Sequence, residues 1–212
     1  MKKLLILFSL LTFLIIGCGN SAESGNKTNE KTGNSKKFKI GITQIASHPA
    51  LDNARKGFED AFKEAGVDAD FDEKNANGET ANANLIANNF ASSKVDLIYA
   101  IATSTAQTAV QSTNSIPIVF AAITDPKSAG ILKPNVTGVS DRMDVSEQMK
   151  LLKRLDDKIK SVGVIYNSSE PNSKVQVEDL KKAAAPLGLT VVEKSVTQAN
   201  EIPQTVDNLT RE

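Results

Sequence analysis

The chain has 212 residues, and at 40% hydrophobic and 24% charged it has the composition of a folded globular protein, not a disordered one. Its 25 basic and 25 acidic residues cancel, which excludes the basic face that nucleic-acid binding needs. One cysteine and one histidine exclude an intrachain disulfide framework, a multi-cysteine metal site and the two-histidine zinc motifs; any metal site would depend on carboxylates, and no such constellation is visible, so none is assigned.

Met1, Lys2 and Lys3 open an apolar run over residues 4–16 that only Ser9 and Thr12 interrupt. A short positive segment before such a run predicts a secretory signal over residues 1–17. The run is shorter than the roughly 20 residues that span a bilayer. Ile15-Ile16-Gly17-Cys18 resembles a bacterial lipobox, with isoleucine where leucine is commoner. In that motif the signal is cut before the cysteine, whose thiol then carries the lipid (a palmitate-type anchor). The alternative is a plain membrane anchor with an inert cysteine; lipidation of Cys18 is the reading that explains a lone thiol in an exported chain. Without Lys2 and Lys3 the mature chain is slightly acidic, which gives no attraction to anionic headgroups. Residues 18–36 contain no large apolar side chain and cannot offset their chain entropy by burial, so they predict a flexible tether.

From Phe38 the pattern alternates like a strand to Thr43. Leu51, Ala54, Phe58, Ala61, Phe62 and Ala65 then recur on one face of a helix that Gly66 closes. Val67, Ala69 and Phe71 predict a second strand, and Leu85, Ile86 and Phe90 a second, asparagine-rich helix. The apolar run over 95–102 fits a parallel strand covered on both faces. A helix over 104–114, a strand over 116–123 and a short strand over 136–139 follow. Asp144, with Glu147 three residues on, predicts a capping box for a helix carrying Met149, Leu152 and Leu155. Then come a strand over 162–166, a helix over 175–187 closed by Gly188, a strand over 189–192, and a helix begun by Ile202, Val206 and Leu209. Strands alternating with helices predict α/β lobes with parallel, Rossmann-like sheets. The first lobe spans 37–140 and the second 141–212. A finished lobe of this kind takes on the order of a hundred residues, so the second is expected to be incomplete. A partner could complete it, but a C-terminally shortened chain is the expectation taken.

No G-x-x-x-x-G-K-[ST], G-x-G-x-x-G after a strand, or G-x-S-x-G is present, and His48 before Pro49 reads as a loop or helix-start residue. No catalytic residue is assigned, and binding is expected instead. Open parallel sheets take ligands beyond the carboxyl ends of their strands, where strand order reverses. With a 2-1-3-4-5 order that crevice falls between residues 43–49 and 102–105. Both loops open helices whose N–H groups and dipole favour an anion such as a carboxylate. Thr103, Ser104 and Thr105 add hydroxyl groups there, or simply cap the helix. Asp141 and Glu170 could receive an ammonium group; alternatively Asp141 caps the next turn and Glu170 is a solvated loop acid.

Residues 42–52 (ITQIASHPALD), 117–126 (PIVFAAITDP), 135–141 (NVTGVSD) and 162–170 (VGVIYNSSE) resemble the ABC transporter substrate-binding lipoproteins of the tryptophan/tyrosine type. The resemblance runs from Phe38 to the C-terminus. It implies a type I periplasmic-binding-protein fold, two lobes that close on one small ligand, typically an aromatic amino acid (tryptophan, tyrosine or phenylalanine). It further implies delivery to a membrane permease driven by a cytoplasmic ATPase, outside the cytoplasm and without a cofactor. The contacts it implies are Gln44, Thr103, Ser104, Thr105, Thr124 and Asp141, and then Asn167, Glu170, Asn172 and Ser173. Family members continue through a complete second lobe, so later contacts fall outside this sequence. A sensory ligand-binding module, or a Rossmann-like enzyme with an unrecognised site, are the alternatives.

Overall fold

A computed structural model describes residues 37–211; the signal segment, Cys18 and the tether lie outside the described residues. The larger sheet is built from β1 (Phe38–Gln44), β2 (Ala69–Asn75), β3 (Leu97–Ile101), β4 (Ile118–Ile123) and β5 (Val136–Ser140). All its pairings are parallel, in the order β2-β1-β3-β4-β5, the order on which the expected crevice depends. Helices α1 (Pro49–Glu64), α2 (Thr80–Ser93) and α3 (Thr103–Ser112) make the crossovers.

The period-two alternation of the strands divides the core. Ile40, Ile42, Tyr99 and Ile101 pack against Leu51, Ala54, Phe58 and Phe62 of α1. Ile98, Ala100, Ile118 and Phe120 point the other way, onto Phe90 of α2 and Ala106, Ala109 and Val110 of α3. Phe58 stacks on Tyr99 with ring centroids 3.9 Å apart, and the Tyr99 hydroxyl donates to the Ala54 carbonyl at 3.2 Å. Burial at this position pushes the phenol's pKa up.

The second sheet pairs β6 (Ser161–Asn167) and β7 (Thr190–Val196) in parallel. Helices α4 (Val145–Leu155) and α5 (Pro171–Ala184) cover one face through Met149, Leu180, Ala183 and Ala184. On the other face α6 (Ile202–Leu209) sets Leu209 about 3.4 Å from where a Cβ on Gly163 would lie. Among the described residues no helix is long and apolar enough to cross a membrane.

Several sequence expectations shift for physical reasons. Leu85 is 64% exposed, because the buried side of α2 is Ala83, Ala87 and Phe90, a stripe made mostly of alanine. Leu155, at the last turn of α4, is 75% exposed. β2 and β7 run past the ends expected from the sequence, to Asn75 and Val196, because each pairs residue for residue with its neighbour for seven positions. The capping box forms only in half. Asp144 accepts from the Ser146 and Glu147 N–H groups, while the Glu147 carboxylate pairs with Lys150 at 2.7 Å.

Candidate functional site

At the carboxyl edge of the larger sheet β1 and β3 end side by side, Gln44 opposite Ile101. β1 feeds α1 on one face and β3 feeds α3 on the other, so strand order reverses between them. The turn out of β3 is strained. Ala102 takes φ 84° and ψ 160°, a region entered freely only by glycine and costing other residues about 1–3 kcal/mol. No side chain caps α3, which leaves its first-turn N–H groups available to another acceptor.

The three hydroxyl residues at this helix start have different fates. Thr103 is buried, 4% exposed, and its hydroxyl makes no hydrogen bond among the described residues. Ser104 is half-buried. Thr105 is fully buried, and its hydroxyl donates back to the carbonyls of Ile101 and Ala102 at 2.7 and 2.8 Å. It therefore offers no accessible oxygen in this structure, a departure from the role expected of it. Gln44 is also committed: its amide N–H groups donate to the Ala46 carbonyl and to Asp52 Oδ1, each at 2.7 Å. Only its carbonyl oxygen remains to accept a bond. His48 is the N-cap of α1, its Nδ1 accepting from the Ala50 N–H at 3.2 Å.

Thr103 and Asn172 meet across a narrow gap of about 30 Å³, together with Asp125, Ser128, Pro171 and Val175. This gap brings together the openings of α3 and α5, and α5 likewise lacks a side-chain cap, Glu170 preceding it without such a bond. Asn167 holds the turn before α5 by accepting from the Ser169 N–H at 3.0 Å and the Ser169 hydroxyl at 2.6 Å. Its own amide faces Glu170 Oε1 at 3.5 Å.

The remaining expected residues line two adjoining cavities. Thr124 and Asp141 line one of about 370 Å³. Asn167 and Ser173 line another of about 340 Å³, whose wall also includes Tyr166, Val164 and Ile165. Met143, Val145 and Gln176 are common to both. Gln176 donates from Nε2 to Thr124 Oγ1 at 3.3 Å, joining the end of the larger sheet to α5. Gln44 stands apart, in a 250 Å³ depression with Asp52, Arg55 and Glu73. Ser104 and Glu170 line none of these cavities.

Sequence reasoning did not single out Arg142, Met143 or Gln176. Gln176 was findable: it lies one helical turn beyond Ser173, on the same face of α5. Asp125 carries the clearest electrostatic signature. The N–H and hydroxyl of Ser128, then Arg142 and the Lys127 N–H, hold its carboxyl below the usual carboxylate range. Among the described residues no three histidine, cysteine or acidic side chains come together as a metal-binding group.

Strand order, switch point and a second parallel sheet behind the crevice define the type I periplasmic-binding-protein class. Residues 39–212 match the family described as ABC transporter substrate binding protein, and the chain belongs to that family. It is 40% identical over 207 residues to the tyrosine-binding protein of Clostridioides difficile, covering 92% of this chain and 60% of that relative. Two solved structures align over 82% of this chain and 62% of their own, each at 38% identity. One is a conserved domain protein from Vibrio cholerae, at a TM-score of 0.79. The other is the ABC domain in complex with L-Trp from Streptococcus pneumonia, at 0.77. The chain thus spans about three-fifths of the length of the relatives it matches.

Proposed function

We propose that the chain is the solute-capturing part of an ABC uptake system, not an enzyme. Its ligand is a small zwitterion, an aromatic amino acid, held between a first lobe over 37–140 and a second over 141–212. A permease and its ATPase would take the ligand onward, and lipidated Cys18 would hold the receptor outside the cytoplasm.

The observation that carries this reading is the pair of helix openings without a side-chain cap, α3 and α5, on one gap that Thr103 also lines with an unpaired hydroxyl. Two helix N-termini aimed at one place favour a carboxylate. Asp141, which lines one of the adjoining cavities, is the group at hand for the ammonium, and the cavities walled by Met143, Val145, Val164 and Tyr166 offer an apolar surface for a ring. The likeness to a tryptophan-bound structure and to a tyrosine-binding protein supports the same ligand class.

The chain contains no tryptophan, so the ligand can be its own reporter. Titrating the chain with L-tryptophan should give saturable, blue-shifted emission as the indole leaves water. Thr103→Val keeps the side chain's shape and removes the hydroxyl, and should weaken binding by about 1–3 kcal/mol, the cost of unpairing a buried carboxylate from one donor. Absence of saturable binding to tryptophan, tyrosine and phenylalanine alike would overturn the proposed ligand class.

A further inference from the structure

Arg142 follows Asp141 at the point where the chain leaves β5 for α4. Its guanidinium is forked between two carboxylates that belong to different layers. Nη1 contacts Asp125 Oδ2 at 2.9 Å, in the loop after β4, and Nη2 contacts Asp179 Oδ2 at 2.6 Å, on α5. Asp125 is a fixed post: Oδ1 accepts from the Lys127 and Ser128 N–H groups, each at 3.0 Å, and Oδ2 from the Ser128 hydroxyl at 2.8 Å. Asp179 is carried by α5, which is anchored by its buried Val177 and Leu180, and Arg142 is the side chain that holds its carboxylate. The Asp carboxylates are largely shielded, with 17% and 19% of their side-chain surface exposed.

We propose that Arg142 is a positioning residue that sets the distance between the two sheets, and with it the opening of the crevice. The inference uses the proposed function only in naming that crevice a ligand site. Two carboxylates share one cation, so the arrangement is asymmetric to perturbation. Removing either acid leaves a neutral pair, whereas removing the arginine leaves two like charges facing each other across the gap. Like charges in a partly shielded setting repel appreciably; Asp125 is held by Lys127 and Ser128, so the repulsion falls on the Asp179 side chain and on the approach of α5 that carries it. The Gln176–Thr124 hydrogen bond lies one turn away on α5, so it would be stretched by the same movement. Removing Arg142 therefore opens the crevice, and removing Asp179 as well closes it again.

The test is a distance measurement on the ligand-free chain in a Cys18→Ser background. Spin labels go on cysteines replacing Asn88 of α2 and Thr190 of β7, both exposed. Arg142→Gln should lengthen and broaden the distance distribution. Arg142→Lys, which keeps the charge but not the planar fork, should fall between. The double variant Arg142→Gln/Asp179→Asn should be less displaced than Arg142→Gln alone, a reversal that general damage to packing does not produce. Added KCl should lengthen the distance in the wild type and shorten it in Arg142→Gln, because it screens attraction in one and repulsion in the other. A parallel L-tryptophan titration should show affinity reduced about five-fold in Arg142→Gln, the low end of ordinary coupling between sites.

Unchanged distances in Arg142→Gln would overturn the inference, as would a double variant displaced at least as far as the single one. If the distances behave as described while even the wild type ignores tryptophan, the inference stands and the ligand assignment falls.

Discussion

Gly41 lies in β1 directly beneath the ring of Phe90. A Cβ added there would sit 2.7 Å from both Cγ and Cδ2 and 2.9 Å from Cδ1. The ring is 1% exposed, packed among Ile98, Ala100 and the alanines of α3, so it has no free volume to enter. Overpacking of this kind costs about 1–3 kcal/mol, and three simultaneous clashes with the face of one ring place Gly41→Ala in the upper half of that range. Phe90→Ala alone should cost about 3–5 kcal/mol through lost burial and the void it leaves. In the double variant the new methyl enters part of that void. The combined cost should then fall below the sum of the two by about 1–2 kcal/mol, within the range for residues in contact. Urea unfolding followed by far-ultraviolet circular dichroism gives the four midpoints, compared at a common m-value. Additivity to within about 0.5 kcal/mol would refute the argument, since it would mean that the sheet shifts to accept the methyl whether or not the ring is present.

Two further perturbations test local interactions. Asp144→Ala removes the acceptor of the Ser146 and Glu147 N–H groups, and should cost about 1 kcal/mol and lower the melting temperature by about 2–4 °C. An unchanged melt would mean that packing of Met149 and Leu152 alone fixes the start of α4. Ser128→Ala removes one of the hydrogen bonds that depress the Asp125 pKa. A carboxyl whose folded pKa lies below its ordinary value of 3.8 contributes stability above that pH and loses it as pH falls through the folded value. The stability gap between wild type and Ser128→Ala should therefore be constant from pH 7 to about pH 5 and shrink below 3.8. A gap that stays the same down to pH 2 would show that the serine acts through packing and not through the carboxylate.

The fold was legible because two periodicities carry it. Apolar runs such as residues 97–101 and three- and four-residue steps such as Leu51 to Phe62 exposed the strands and helices without ambiguity, and the parallel order followed from their alternation. Element ends were harder to read, because pairing extends β2 through Asp72, Glu73 and Lys74, residues with no apolar signal at all. At the site, sequence located the right loops and could not say how each hydroxyl is used. Thr103 and Thr105 are the same residue type two positions apart, yet the helical turn buries the second hydroxyl against its own backbone. Arg142 was hidden for a different reason. Its two partners lie 17 and 37 residues away in sequence, and only the folded chain brings them to one guanidinium.

Capping separates the helix starts that serve the fold from those proposed to serve a ligand. α1 is capped by His48 and α4 by Asp144, so each of those starts has an acceptor supplied by the chain itself. α2, α3 and α5 have no such side chain. α2 lines none of the cavities at the crevice, and water can satisfy its first turn. α3 and α5 share one narrow gap, lined by Thr103, whose hydroxyl has no partner among the described residues. An anion there could accept from the start of α3 and from the Asn172 N–H of α5, since Pro171 has no N–H and that of Ser173 donates to the Glu170 carbonyl, whereas in an opened crevice it could touch only one layer. On the proposed reading, binding therefore favours the approach of the two layers, because the ligand's differential affinity for the closed form is the only quantity that can shift that balance. On the same reading the Arg142 bridge, whose Asp125 end lines the gap, acts on the same separation by tying the loop after β4 to α5.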